Sequence, residues 1–267
     1  MFDLLAYPFF LRALAAVALI SVAMAMTGVY VMSRRMVFIS GGITHACFGG
    51  LGLGYFLGVP PVAMAAVFAV GGSLGVDWLA RRTRVRRDSA IAVIWAVGMA
   101  LGVLFVFLGE GSVPQLNTFL FGNVLTVTLT DLWIFLGFTA ALLIFYILLR
   151  RTIDAVSFDR DFARVNRLPV TFIDTAMTVF VALAIVLSIR LVGIMLLMSL
   201  LSLPQIIAET RCRRYGTLVI FSGIVALCGG VGGLFLSAVI GVPASATIVL
   251  LLAVLFIIAK LIPSKLR

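Results

Sequence analysis

Apolar segments long enough to cross a bilayer follow one another along almost the whole chain, and the longest stretch that is not obviously oily runs only from Arg150 to Pro169. A hydrocarbon core of about 30 Å takes about 20 helical residues at ~1.5 Å each. With 267 residues and 63% apolar content, this pattern predicts an all-α fold, a polytopic transmembrane helical bundle. About nine spans are expected, at 9–32, 37–58, 61–80, 89–109, 131–149, 170–189, 191–209, 217–239 and 244–261. Eight to ten are compatible, because 120–130 is too polar and short for a full crossing and reads as a partial or interfacial helix. Residues 1–267 read as one transmembrane domain, with no room for a soluble catalytic domain.

Arginine and lysine are retained on the cytoplasmic side of membrane spans. On this map the connections holding Arg34 and Arg35, Arg81 to Arg87, Arg150 to Arg167, and Arg211 to Arg214 all fall on one side, together with Lys260, Lys265 and Arg267. Of 20 basic residues only Arg12 and Arg190 lie elsewhere. The N-terminus is therefore expected outside and the C-terminus in the cytoplasm. The net charge of +10 is explained as a topology signal, and no nucleic-acid partner is needed to account for it. Cys47, Cys212 and Cys228 are dispersed and odd in number, which gives no support to a disulfide framework.

Glycine concentrates in two spans: Gly41, Gly42, Gly49, Gly50, Gly52, Gly54 and Gly58 in the second, and Gly229, Gly230, Gly232 and Gly233 in the eighth. Both spans are expected inside the bundle, where small residues let helices approach closely or backbone open. Gly41, Gly42 and Gly49 are candidates for helix packing or for the edge of a pathway. The second span also carries His45, the single histidine of the chain, in mid-membrane. An ionisable group at that depth must face protein or water and is a functional candidate, the plain alternative being a histidine satisfied by a hydroxyl or carbonyl. One imidazole cannot build a closed metal site, which takes about four ligands, so any metal contact would be transient, as in a conduit. Cys47 lies about 200° round an ideal helix from His45 and shares its face only if the glycines unwind the helix.

The acids read as structural. Asp88 and Asp131 stand where helix N-caps belong, Asp77 with Arg81 and Glu209 with Arg213 have i,i+4 spacing, and Asp174 falls in a first turn. None lies at mid-membrane, which weakens proton-coupled transport. There is no GxxxxGK[ST] motif and no lysine before Lys260, so nucleotide hydrolysis would belong to another chain. Its dock would be SFDRDFARVNRLPV, Ser157 to Val170. Ser157 is placed as N-cap, Asp159 and Asp161 in the first turn, and Phe158 and Phe162 as apolar anchors four apart, giving a short amphipathic helix. The alternative is a helix lying on lipid headgroups.

Several stretches together resemble the membrane permeases of ATP-binding cassette importers for zinc, manganese and iron. They are GVYVMSRRMVFISGGITHACFGGLGLG, DSAIAVIWAVGMALGVLF, LFGNVLTVTLTDL, SFDRDFA, VGIMLLMSLLSLPQIIA and GVPASATIVLLLAVLFI. They occur in the family's order along nearly the whole chain. The resemblance implies a homodimer in a prokaryotic plasma membrane, two copies of a cytoplasmic ATPase, and an extracytoplasmic binding protein that delivers the ion. It makes the chain a transport subunit and not an enzyme, holding no stable cofactor and passing a divalent metal ion as substrate. It implies that Ser157, Phe158, Asp159, Phe162 and Ala163 belong to the ATPase coupling helix and that His45 lines the path. Two departures stand out: Gly41 where the family usually has Asp, one turn before the histidine, and Arg167 where it often has glycine.

Loss of that hard oxygen ligand favours zinc over manganese or iron. Met36, Met195 and Met198 raise copper(I), against ordinary packing roles. The alternative cargo is a metal chelate or a cobalamin-like ligand, separable by whether free ions or chelates stimulate ATP hydrolysis. An intramembrane enzyme is more distant, since one histidine without mid-membrane acids leaves little for acid and base chemistry. The connections 110–119 and 240–244 are the candidate docks for the binding protein.

Overall fold

The computed structural model describes residues 7–83, 85–109, 122 and 124–262. The helices are α1 (Pro8–Ser33), α2 (Val37–Leu57), α3 (Pro61–Thr83), α4 (Arg87–Leu108), α5 (Leu129–Phe158), α6 (Arg160–Val165), α7 (Val170–Glu209), α8 (Tyr215–Ile240) and α9 (Ala244–Leu261), with one 3-10 turn at Val124–Thr126 before α5. Among the described residues, eight helices are long and apolar enough to cross a membrane, all except the six-residue α6. The connection 110–119 lies outside the described residues.

The expected sixth and seventh spans are one hydrogen-bonded helix, α7, of 40 residues. At ~1.5 Å per residue it would be about twice as long as the hydrocarbon core is thick. It is broken at Gly193 (φ 77°, ψ 172°), a conformation that a side chain would forbid. Its two halves return to the same end of the bundle. Asp174 near its start pairs with Arg34 and Arg160, and Glu209 at its end lines a cavity with Ser33, Arg35 and Phe158. Arg190, just before the break, pairs at 2.9 Å with Asp131 in the first turn of α5, at the other end. The two halves of α7 therefore run out and back between the two ends of the bundle, so that among the described residues eight membrane-length helices give nine passes. Gly122, at φ 58°, lies so close to the break that a Cβ there would run into the backbone of Val192 and Gly193.

A helix interior containing proline leaves a carbonyl four residues back without its partner. In α7 this is Leu200, opposite Pro204, and Gln205 Nε2 donates to its oxygen at 3.1 Å and also to Met24 O of α1 at 2.8 Å. The amide fills the space left by Gly28 of α1. One side chain thus mends the proline gap and ties two helices together.

Helices α2 and α7 are the most buried spans, with 78% and 61% of the residues of an 18-residue apolar stretch buried, against 17% for α4. The interior placement of the second span holds. The eighth, α8, is intermediate: its glycines seat it against α1 and α9, where a Cβ on Gly230 would lie 2.5 Å from Val17 Cγ1 and one on Gly233 2.6 Å from Ile248 Cα.

Several terminus assignments shift. Helix α5 continues through a kink at Leu149 to Phe158, so Ser157 ends one helix and does not cap the next. Asp159 is the cap of α6, its Oδ1 accepting from the backbone N–H of Asp161 at 3.0 Å and Phe162 at 2.9 Å. Thr128 caps α5, with Asp131 completing a reciprocal capping box, and Asp88 sits within the first turn of α4 behind Arg86. The side chain of Arg81 lies outside the described residues, while Asp77 pairs with Arg87 of α4 at 3.3 Å. Arg167 adopts φ 55° directly after α6, where Leu168 N–H closes on Ala163 O at 3.0 Å. That left-handed C-terminal position is the one glycine prefers, and Arg167 occupies it here.

Candidate functional site

His45 lies eight residues into α2, so about 12 Å from the helix start. Its ring is stacked on Trp95 of α4, with centroids 4.3 Å apart and planes 8° from parallel. The Nδ1 atom is buried and accepts or donates no hydrogen bond. One turn earlier, a Cβ on Gly41 would meet Met198 Cε at 3.3 Å and Trp95 Cζ3 at 3.5 Å. Gly41 and His45 therefore present one face of α2 toward Trp95 and the second half of α7.

The other glycines of α2 serve packing. A Cβ on Gly49 would lie 2.8 Å from the Phe68 ring and 3.0 Å from Gly98 O, and one on Gly52 2.7 Å from Gly102 O. On α4, a Cβ at Gly98 would lie 2.5 Å from Ala46 Cα. Gly42 is closed in by Ile91, 2.5 Å from where its Cβ would stand. Backbone therefore meets backbone across α2 and α4, an approach only small residues permit. Gly42 and Gly49 let α2 and its neighbours close up on either side of His45, and Gly41 lies one turn from it beside Met198 and Trp95. Helix α2 is not unwound, and Cys47 is fully buried away from that face.

Among the described residues, no three His, Cys, Asp or Glu side chains gather into a metal cluster. The methionines considered for copper have different surroundings. Met36 lies under Arg87, whose guanidinium is 3.0 Å from its sulfur. Met195 is exposed, and Met198 stands by Gly41.

At the arginine-rich end, Phe158 and Phe162 are 62% and 58% exposed, joined by Val165 at 83%. Ala163 and Ser157 are buried beneath them, so these two seat the segment and the phenylalanines present it. Asp159 fixes the turn between them through its two accepted N–H bonds. Beneath this knob Asp174, buried at 2%, accepts from Tyr30 Oη at 3.0 Å, pairs with Arg34 at 3.4 Å and contacts the Arg160 guanidinium. Spacing alone placed Asp174 as a helix-dipole residue; it is instead the centre of a charge cluster. Trp95 was also missed. The signal lay in Ile91, Trp95, Gly98 and Gly102, which form one stripe along α4 at helical spacing, facing α2.

The sequence pattern of the ABC 3 transport family matches residues 6–262. The chain is 28% identical over 257 residues to a manganese transport system membrane protein of Halalkalibacterium halodurans, covering 96% of this chain and 88% of that one. It is 31% identical over 258 residues to a chelated iron transport system membrane protein of Yersinia pestis, covering 95% and 85%. In structure it resembles a chain of PsaBC from Streptococcus pneumoniae, solved in complex with a Fab, with TM-score 0.85 and 26% identity over 97% of this chain and 93% of that one. The chain belongs to the ABC 3 transport family. It is a multi-pass membrane permease subunit, not itself an enzyme, and ATP hydrolysis resides on a separate chain.

Proposed function

We propose that this permease imports a divalent metal ion, zinc in preference to manganese or iron, across a prokaryotic plasma membrane by alternating access. A homodimer of the chain is driven by two cytoplasmic ATPases and receives its ion from an extracytoplasmic binding protein. The arginine-rich end faces the cytoplasm, so Pro8 lies outside and Leu261 inside. The relatives named for manganese and chelated iron support a metal as cargo. The observation that carries the zinc preference is the face shared by Gly41 and His45, which offers an imidazole and a nearby thioether and, among the described residues, no cluster of carboxylates. Manganese is held best by carboxylate, carbonyl and water oxygens, whereas imidazole suits zinc.

His45 makes the transient contact and Trp95 fixes its ring plane, so the nitrogen is presented without a closed ligand set that would trap the ion. The test is metal uptake by the complete transporter carrying Gly41→Asp or His45→Ala. The Cβ that Gly41→Asp adds is admitted once the Met198 methyl gives by a few tenths of an ångström, and the variant brings the carboxylate that zinc does not need and manganese favours. It should shift the manganese to zinc uptake ratio upward by about tenfold, equivalent to ~1.4 kcal/mol. His45→Ala should lower zinc uptake while the ATPase stays bound. Unchanged ratios in the first and unchanged zinc flux in the second would refute the assignment.

A further inference from the structure

Motion at an ATPase face would have to reach α2, and the cluster round Asp174 lies between the two. Asp174 lies in the first turns of α7, buried, and its partners come from two other places in the chain. Arg160 is the first residue of α6, the short helix of the coupling segment. Tyr30 and Arg34 belong to the last turn of α1 and its C-cap. Arg34 also donates to Val156 O at 3.3 Å, in the last turn of α5 just before that segment. From Arg34 only two residues intervene before α2 begins at Val37, and His45 follows two turns on.

A second link runs in parallel. Thr178, one turn beyond Asp174 on α7, reaches Asp77 of α3 at 3.5 Å, and Asp77 pairs with Arg87 of α4. Arg87 in turn rests on Met36, the N-cap of α2. The start of α2 is therefore gripped from both sides by charges anchored on the first turns of α7.

Arg34 and Asp174 side chains are 7% and 3% exposed. Separating them would strand charges away from water, which is far more costly than moving them together. We propose that Asp174 is the positioning residue that binds the coupling segment to the α1–α2 turn, so that an ATPase stroke on Phe158 and Phe162 arrives at His45 as a rigid displacement of α2. It touches neither the ion nor nucleotide. The inference rests on the coupling role assigned to residues 157–163 and adds the link from that segment to the path.

The experiment measures zinc moved per ATP hydrolysed by the reconstituted complete transporter carrying Asp174→Asn, Asp174→Glu, Arg160→Gln or the double variant Asp174→Asn with Arg160→Gln. The Asn variant retains a hydrogen-bond acceptor for Tyr30 and removes the charge. It and Arg160→Gln should each lower the ratio by about tenfold or more, with the double variant no worse than either single one, because both cut the same tie. Asp174→Glu should recover much of the ratio, a result that loss of folding would not give. Wild-type ratios in both single variants, or losses that multiply in the double, would overturn the proposal. If Asp174→Asn fails to insert, Arg160→Gln decides, since Arg160 is 29% exposed and its replacement strands less charge. Phe158→Ala with Phe162→Ala, run alongside, separates the two readings: uptake surviving there refutes the coupling segment itself.

Discussion

Replacing both Phe158 and Phe162 by alanine is expected to abolish ATP-driven metal uptake while the chain still inserts. The two rings stand 62% and 58% exposed on a segment whose Ala163 is fully buried and whose turn is held by Asp159. They contribute little to the permease's own core, so folding should survive. Aromatic anchors filling a partner's groove each contribute about 2 kcal/mol or more, a factor of about 30 in affinity per ring. Co-purification of the ATPase and its dissociation constant from detergent-solubilised permease measure this directly. Wild-type affinity in the double variant would mean that the segment lies on lipid headgroups and that the ATPase grips elsewhere.

The second large effect is expected at Gly98. Its missing Cβ would stand 2.5 Å from Ala46 Cα, a backbone atom that cannot swing aside. Gly98→Leu must push α4 from α2, taking Trp95 off His45. Overpacking a tight contact costs about 1–3 kcal/mol, and a leucine at a backbone crossing should reach the upper end. Thermal unfolding in detergent should show a lowered midpoint, together with loss of zinc uptake. Gly137, whose surroundings are open, is the control: leucine there should change neither. A stable, active Gly98→Leu permease would show that the α2–α4 contact does not position the histidine.

Spans were legible because the bilayer imposes a length, and the gathering of arginines at one end of the bundle was legible with them. The pair of crossings in α7 was legible from length, although Gly193 lies just inside the second expected span and the hydrogen-bonded helix runs through it. Helix ends were less so. Ser157 and Asp159 are both good N-cap residue types, and the choice between them is made by α5 continuing to Phe158, which local sequence does not encode. The charge cluster was illegible for a different reason: Tyr30 and Asp174 are 144 residues apart, and only the packed bundle brings them together. The glycines of α2 announced close approach but not to what. Gly49 and Gly52 meet backbone of α4, Gly50 and Gly54 meet backbone of α3, and Gly41 meets the Met198 and Trp95 side chains beside the histidine.

On the proposed function, this chain is a gate without an engine, opened by a companion acting on its arginine-rich end. Zinc uptake into sealed proteoliposomes decides it, comparing the permease alone with the permease plus its ATPase, binding protein and ATP. Accumulation against a gradient should require all of them and vanish when ATP is withheld. Concentrative uptake by the permease alone, with neither nucleotide nor ATPase present, would mean that the chain carries its own engine.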